Sequence, residues 1–420
     1  MNKRLVRLLL VLVSFALLAM TAQAAEEPKP AATEQKPAEP EEKPLGPGWM
    51  SLDCCVGVLD GKIGDAKGAL EKALGISISG FLDTGYTWSS NHPKSPTDIS
   101  GRYFDKDHNK VVFNDFNITL EKPEKDWGVG FKVVGDFGRT AELLREATLW
   151  NKKLQKQPSA ELREVFLTTT IPIGEGLQIK GGKFVTLMGT EVIPAPGSYN
   201  PNISRSFLFN YAIPFSHLGV LFSYPVLKTL TIMGGPVTGW DNPHDNNSSP
   251  SFHGGFTFAP AEIFSLATSV MAGPEQSHNT KNNRFTLGNV VTIKPISDLT
   301  VFLEYTYGHE EKVTASLRNA TWQGVAVIVS YDWTERFNTA LRAEWFNDRD
   351  GVRLGGDFAG NHANVAVSEM TLTGAYKFTK MLLGRAEVRQ DWSDQKFYKR
   401  GSSTADKNQT TLGLQLVYQY

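Results

Sequence analysis

Cysteine is nearly absent from this 420-residue chain: there are two, Cys54 and Cys55, side by side. An exported fold held by disulfides spaces its cysteines apart, so cross-linking is excluded as the device that shapes this chain. An excess of positive charge is missing too, with 43 basic against 44 acidic residues. That excludes the concentrated basic surface a nucleic-acid partner requires. Long hydrophobic runs are also scarce: beyond Met20 no segment offers the roughly 20 apolar residues of a transmembrane helix. Catalytic signatures are lacking as well. No Gly-x-Ser-x-Gly, His-Glu-x-x-His or phosphate-binding glycine loop occurs. The eight histidines, among them His92, His108, His244 and His253, lie in loops or near strand ends without a Ser or Asp partner at a recognisable spacing. Asp105-x-Asp107-x-Asn109 begins like a calcium loop, but Lys110 replaces the required glycine and Phe116 stands where the bidentate glutamate belongs. Neither a cofactor, a metal nor an enzymatic activity is expected, and these loop carboxylates read as solvated.

The N-terminal part has three sections. Lys3, Arg4 and Arg7 precede the uncharged run Leu8 to Met20, and Ala22-Gln23-Ala24 supplies small residues at the cleavage positions, so residues 1–24 read as a signal peptide. Its removal lowers the basic count to 40 and leaves a net charge near −4. Residues 25–47, rich in Pro, Glu and Lys, bury too little surface to offset their ordering entropy and read as a disordered periplasmic spacer. Residues 48–75 contain a short amphipathic helix, with Ile63, Ala66, Leu70 and Leu74 on one stripe. Packing against the main domain is the simplest role for it; a plug or an oligomerisation helix are alternatives.

From residue 76 the pattern changes to period two and continues to residue 420. Sixteen segments, from 76–88 to 409–420, read as strands near the ~9–11 residues that cross a bilayer at a tilt. Their connections alternate. Tight turns follow the even-numbered strands and long polar loops the odd-numbered ones, which is the arrangement of an outer-membrane barrel with periplasmic turns on one rim and extracellular loops on the other. The expected fold is therefore an all-β transmembrane antiparallel barrel of about 16 strands over residues 76–420.

The faces support this. Leu382, Gly384, Ala386, Val388 and Trp392 share one side of their strand, and Arg385, Glu387, Arg389 and Asp391 the other. Phe337, Leu341, Ala343 and Trp345 oppose Asn338, Arg342 and Glu344 in the same manner. A charged face of this density is not a dry core, since burying several unpaired charges costs more than a fold's net stability of about 5–15 kcal/mol. Tyr86, Trp88, Tyr305, Tyr307, Tyr331, Trp333, Tyr376 and Phe378 fall near strand ends on the apolar side, as the aromatic girdles of a membrane barrel do. Lipid offers no partner to an open edge, so the last strand should pair with the first. Both termini then lie in the periplasm, and Tyr420 becomes an aromatic anchor at that rim.

Three stretches carry a family resemblance: ISGFLDTGYTWSSNHP at the start of the barrel, GGKFVTLMGTEVIPAPGSYNPNISRSFLFNYAIPFSHLGV near its middle, and PVTGWDNPHDNN after that. The chain resembles the OmpL-like beta-barrel porins of the porin-2 family over roughly residues 76–420. The resemblance implies an outer-membrane porin of a Gram-negative envelope, with passive diffusion of small hydrophilic solutes or ions, and names no catalytic residue. Its expected partners are outer-membrane lipid and lipopolysaccharide, the barrel-assembly machinery, the solutes themselves, and further copies of the chain in a homotrimer. An outer-membrane hydrolase or protease, and a structural barrel tethered to the cell wall, stand as alternatives.

The loop after the fifth strand, about 188–216, is unusually apolar. In general porins of sixteen strands the loop at this position narrows the channel. By that analogy Phe207, Leu208 and Phe209 pack on the inner wall and Glu191, Tyr199, Asn202 and Arg205 form the constriction. Arg342, Glu344, Glu369, Arg385, Glu387 and Arg389 are expected to line the pore opposite, in a mixed field that favours polar solutes. The inward set elsewhere comprises Asp115, Lys132, Asp136, Glu164, Lys180 and Glu304.

Overall fold

A computed structural model of the protein describes residues 64–420 except 66, 95–97, 125–127, 148–158, 198, 315, 355–363 and 403. The signal peptide, the spacer, the two cysteines, Ile63 and Ala66 lie outside the described residues. Helix α1, residues 67–74, closes on Gly75, whose φ of +65° is the left-handed cap that favours glycine. The two stripe residues described, Leu70 and Leu74, do not pack: they are 50% and 56% exposed. The tie to the barrel is polar instead, with the Glu71 carboxylate accepting the Ile78 N–H at 2.7 Å.

Sixteen antiparallel strands form one closed barrel. They are β1 (Ser77–Ser89), β2 (Lys110–Lys122), β3 (Gly130–Phe137), β4 (Ala160–Ile171), β5 (Leu177–Val185), β6 (Ser216–Leu227), β7 (Leu230–Val237), β8 (Ser251–Ala261), β9 (Phe264–Pro274), β10 (Asn283–Ile296), β11 (Leu299–Glu310), β12 (Ala320–Asp332), β13 (Phe337–Asp348), β14 (Val365–Lys377), β15 (Leu382–Ser393) and β18 (Asn408–Gln419). Each coincides with an expected segment to within three residues. β16 (Tyr398–Arg400) and β17 (Thr404–Asp406) make a small hairpin in the last long loop, and α2 (Arg139–Ala147) is a helix in the loop after β3. Neither was expected.

Closure runs through β1 and β18, paired from Phe81↔Gln419 to Ser89↔Thr411. Tyr420 extends this seam: its N–H donates to Gly80 O at 3.1 Å and its hydroxyl to Asn117 O at 2.9 Å. Gly80 is needed there, because a Cβ would lie 2.4 Å from the Tyr420 hydroxyl. Polarity is inverted relative to a soluble sheet. Leu372, Val388, Leu412, Leu414 and Leu416 are exposed on the outside, whereas Arg342, Glu344, Glu369 and Arg389 are fully buried inside. Among the described residues no helix is long and apolar enough to cross a membrane.

Two bulges adjust what points inward. Register shifts between Val134 and Gly135 opposite Glu164 and Leu162, so Arg163 and Glu164 are both buried while Leu162 and Val165 are exposed. A second shift, between Asp83 and Thr84, lets Asn114 reach the Asp83 carboxylate at 3.0 Å beside the buried Asp115.

Candidate functional site in the lumen

The inner loop, residues 186–215 between β5 and β6, has no strand ladder of its own, so its backbone groups need other partners. Inward carboxylates supply them. Glu387 accepts the N–H groups of Ile203 at 2.6 Å and Ser204 at 3.0 Å. Glu344 accepts those of Phe207 and Leu208, each at 2.6 Å, and Glu191 accepts that of Ser206 at 2.8 Å. Guanidiniums take the carbonyls. Arg342 donates to Ser204 O at 2.6 Å, Arg389 to Arg205 O at 2.6 Å and Arg385 to Asn200 O at 2.6 Å. Charge-assisted bonds of this length are the strong ones.

The clamps are linked to one another. Arg342 pairs with Glu191 at 2.7 Å and Glu369 at 2.6 Å, and Glu369 lies 3.6 Å from Arg389, which also pairs with Asp391 at 2.7 Å. Asn202 donates to Thr373 Oγ1 at 2.8 Å. Tyr199 stacks edge-on against Phe81 at 5.2 Å and under the Arg385 guanidinium at 5.3 Å. All ten residues named from the sequence thus meet at one place. They are engaged with the loop backbone and with each other, and their charges are largely committed to holding it. Arg205 donates to Ile203 O at 2.5 Å and leaves its Nε without a partner, as Arg389 leaves Nη2, and burial pulls Arg205 down from the usual arginine range.

The apolar half of the loop forms a core inside the barrel. Phe207, Leu208, Phe209, Tyr211, Ala212, Ile213 and Phe215 pack with Trp240, Trp322, Phe346, Leu354, Phe397 and Tyr398. Leu208–Ala212 is a π-helical turn, a form common at functional sites. Small residues make the room: at Gly324 a Cβ would lie 2.7 Å from Leu208, and at Gly101, with φ +69°, 2.8 Å from the Phe207 ring. Arg353 then locks three loops together. It donates to Tyr211 O at 2.5 Å and stacks over Trp240 at 4.7 Å and Trp322 at 5.3 Å.

Of the wider inward set, Glu304 accepts the Thr190 N–H at 2.9 Å, Lys132 pairs with Glu164 at 3.2 Å, Arg163 with Asp136 at 3.3 Å, and Lys180 sits over the Phe166 ring at 4.7 Å. Asp115 accepts the Phe137 N–H at 3.2 Å. Two residues read as solvated are not. Asp107 pairs with Arg139 at 2.8 Å, and Asp105 lies 3.6 Å from Arg102, which pairs with Asp391 at 3.1 Å. The helix α2 that supplies Arg139 brings this partner, and nothing in the loop's spacing announced it.

Several holding residues carried no sequence signal. His217 and His253 stack at 4.3 Å, and His253 Nε2 accepts the Leu187 N–H at 3.1 Å where the inner loop begins. Asp241 accepts the N–H groups of Phe215 and Ser216, at 2.7 and 2.9 Å, where it ends, and burial pushes its carboxyl up to about 7. Only Asp348, in the turn-like stretch Asp348 to Gly351, could have been suspected: it accepts the N–H groups of Val352, Arg353 and Leu354.

A porin-like barrel with its fifth-strand loop folded inside has known structural relatives. The outer-membrane channel DcaP of Acinetobacter baumannii aligns with a TM-score of 0.54 at 14% identity, covering 82% of this chain and 97% of that one. The anion-selective porin of Comamonas acidovorans gives 0.54 at 7% identity, covering 82% and 99%. OmpT of Vibrio cholerae, in a trimer form, gives 0.52 at 12% identity, covering 82% and 99%. At these identities the likeness is one of fold. No curated protein matches the chain in sequence. The model of the family described as Putative beta-barrel porin-2, OmpL-like, matches residues 75–420. With the whole barrel inside that match, the chain belongs to this family and is an outer-membrane porin.

Proposed function

We propose that the chain is a passive channel for small hydrophilic solutes or ions and carries no enzymatic activity. The observation that carries this reading is the inverted barrel: an apolar outside, a charged inside, and one loop folded into the lumen to restrict it. Such a loop limits what passes without needing chemistry of its own. The constriction comprises Glu191, Tyr199, Asn202 and Arg205, and the wall that holds it Arg342, Glu344, Glu369, Arg385, Glu387 and Arg389.

The seven short connections and both ends of the barrel chain share one rim, as the strand order requires. By the usual asymmetry of these barrels that rim is periplasmic and the long loops are extracellular. Residues 1–24 direct export, 25–47 form the periplasmic spacer, and lipid and lipopolysaccharide surround the outer face after insertion by the assembly machinery. A homotrimer is the expected assembly, in keeping with the trimer form of the Vibrio cholerae relative.

Planar-bilayer recording tests the proposal. Stable, stepwise openings are expected, and folded protein that never conducts would overturn it. The packed core in the lumen favours a second reading, a structural barrel tethered to the wall. Cosedimentation with peptidoglycan that disappears on deleting residues 25–47, in a barrel that does not conduct, is its signature.

A further inference from the structure

At mid-height the outer face of the barrel is apolar with one exception. β10 presents Phe285, Leu287, Asn289, Val291 and Ile293 outward, and Asn289 stands six residues from one end of the strand and seven from the other. The outward positions at the middle of other strands are residues such as Val220, Phe256, Leu341, Leu372, Val388 and Leu414. Thr84 of β1 is polar there, but its hydroxyl donates to Val112 O at 3.1 Å. Among the described residues Asn289 is the only carboxamide on the outer face in the middle third of a strand. Its neighbour across the ladder, Thr268 of β9, donates to Asn289 Oδ1 at 2.9 Å. A carboxamide carries two donors and an acceptor with two lone pairs, so whichever way it is turned one hydroxyl satisfies only one end of it. Tyr305, paired with it on β11, turns its hydroxyl away to Gln323 at 3.5 Å. The Asn289 amino group therefore has no partner among the described residues. Acyl chains offer it none, and an open amide at bilayer depth is costly.

We infer that a second copy of this chain covers Asn289 and that the outer face of β9–β11 is the interface between the protomers. The inference rests on the homotrimeric assembly and gives it a face. Two properties of the site select a copy of this chain over another membrane protein. A copy spans the bilayer at the same height, so it brings the same group to the same depth. The carboxamide is also its own complement: the amino group donates, and the oxygen keeps a lone pair beyond the one Thr268 uses. Around a three-fold axis each amide donates to the next and the ring closes with all three satisfied. Leu287 and Val291 on β10 and Leu303 on β11 surround the amide and supply the apolar surface that packs on the same face of the neighbours. Polar side chains that bond across such contacts in lipid add to packing and fix its register.

The test is oxidative cross-linking in outer membranes, with Cys54→Ser and Cys55→Ser as the background. Asn289→Cys should give a disulfide-linked dimer, the product of two thiols that meet at the axis. Phe113→Cys, exposed on β2 half-way round the barrel, should stay monomeric under the same oxidation. Asn289→Leu should fold, as heat-modifiable gel mobility reports, and lower the trimer-to-monomer ratio on native gels about tenfold. Asn289→Gln, which keeps the amide, should retain most of the trimer. An undiminished trimer in Asn289→Leu, or a cross-link through Phe113→Cys and none through Asn289→Cys, overturns the inference and leaves the homotrimer standing with another interface. A disulfide from Asn289→Cys to a different outer-membrane protein overturns the choice of occupant. If Asn289→Leu fails to fold, the cross-linking alone decides. A wild-type chain that conducts as a monomer overturns both the inference and the homotrimer, and leaves the porin reading intact.

Discussion

The wall from β13 to β15 and the wall from β8 to β12 line the same lumen with different densities of charge. The first presents Arg342, Glu344, Glu369, Arg385, Glu387 and Arg389, all buried against the inner loop. The second borders a vestibule of about 560 Å³ with Ala259, Ser265, Thr292, Thr300 and Phe302 and with the charged Glu262 and Lys294, and Pro201 of the inner loop also lines it. The wall with the denser charge is therefore the one buried under the inner loop. Where the loop backbone needs partners, on β13–β15 and at Glu304 of β11, the inward charges are clamped to it, while around the vestibule they thin to Glu262 and Lys294 among small and aromatic residues.

Substitutions on the two walls should separate these roles. Arg342→Ala strips Glu191, Glu369 and Ser204 of their shared donor and leaves buried carboxylates uncompensated. A loss of about 3–5 kcal/mol is expected, read as a lower urea midpoint or reduced heat-modifiable barrel. Replacing Asn200–Ser206 by a short glycine-serine link releases the clamps of Glu387 and Arg385 and removes Arg205. On the proposal that the loop restricts the path, single-channel conductance should rise about twofold or more. Unchanged conductance would place the restriction elsewhere.

A smaller effect is expected at the end of the inner loop. Burial raises the Asp241 carboxyl to about 7, so its contribution to stability is fully present below about pH 4 and is lost as pH rises toward 7. Asp241→Asn keeps the left-handed backbone, φ +53°, that Asn tolerates. Its stability should lack this slope, so the difference between wild type and variant in urea unfolding should shrink or reverse from pH 4 to 7. The smallest effect belongs to the sparsely charged wall. Thr300→Glu should change stability by no more than about 0.5 kcal/mol while moving the reversal potential slightly toward cations. A loss comparable to that of Arg342→Ala would erase the distinction between the walls.

The strands were legible because lipid on one side and a polar lumen on the other impose period two over ten or more residues. Even the inward set followed from that alternation. It failed at the bulge beside Arg163, where two successive residues point inward and no period-two reading finds both. Helix α2 was missed because nine residues with Leu143 and Leu144 buried give too short a stripe to stand out in a long loop. Glu387 could be placed on the inner face from its neighbours. That its oxygens would meet Ile203 and Ser204, and not water, depends on a fold of the inner loop that follows no period.

The clamps join parts of the chain that are far apart: Glu344 is 137 residues from Phe207, and Glu387 is 184 from Ile203. Along the chain the inner loop follows β5 and lies far ahead of β13–β15, which receive it. Unless those strands are in place, its aromatic stretch has no completed cavity and its N–H groups no carboxylates. Contacts of such separation form late and slowly. The order of events then follows from connectivity: the final strands must close around a loop already on the inside, since a sealed wall would bar its backbone from the lumen except through the open rim. Lumen filling and barrel closure become one cooperative step, and a barrel that closed early would be left with an empty lumen and a hydrophobic loop outside it.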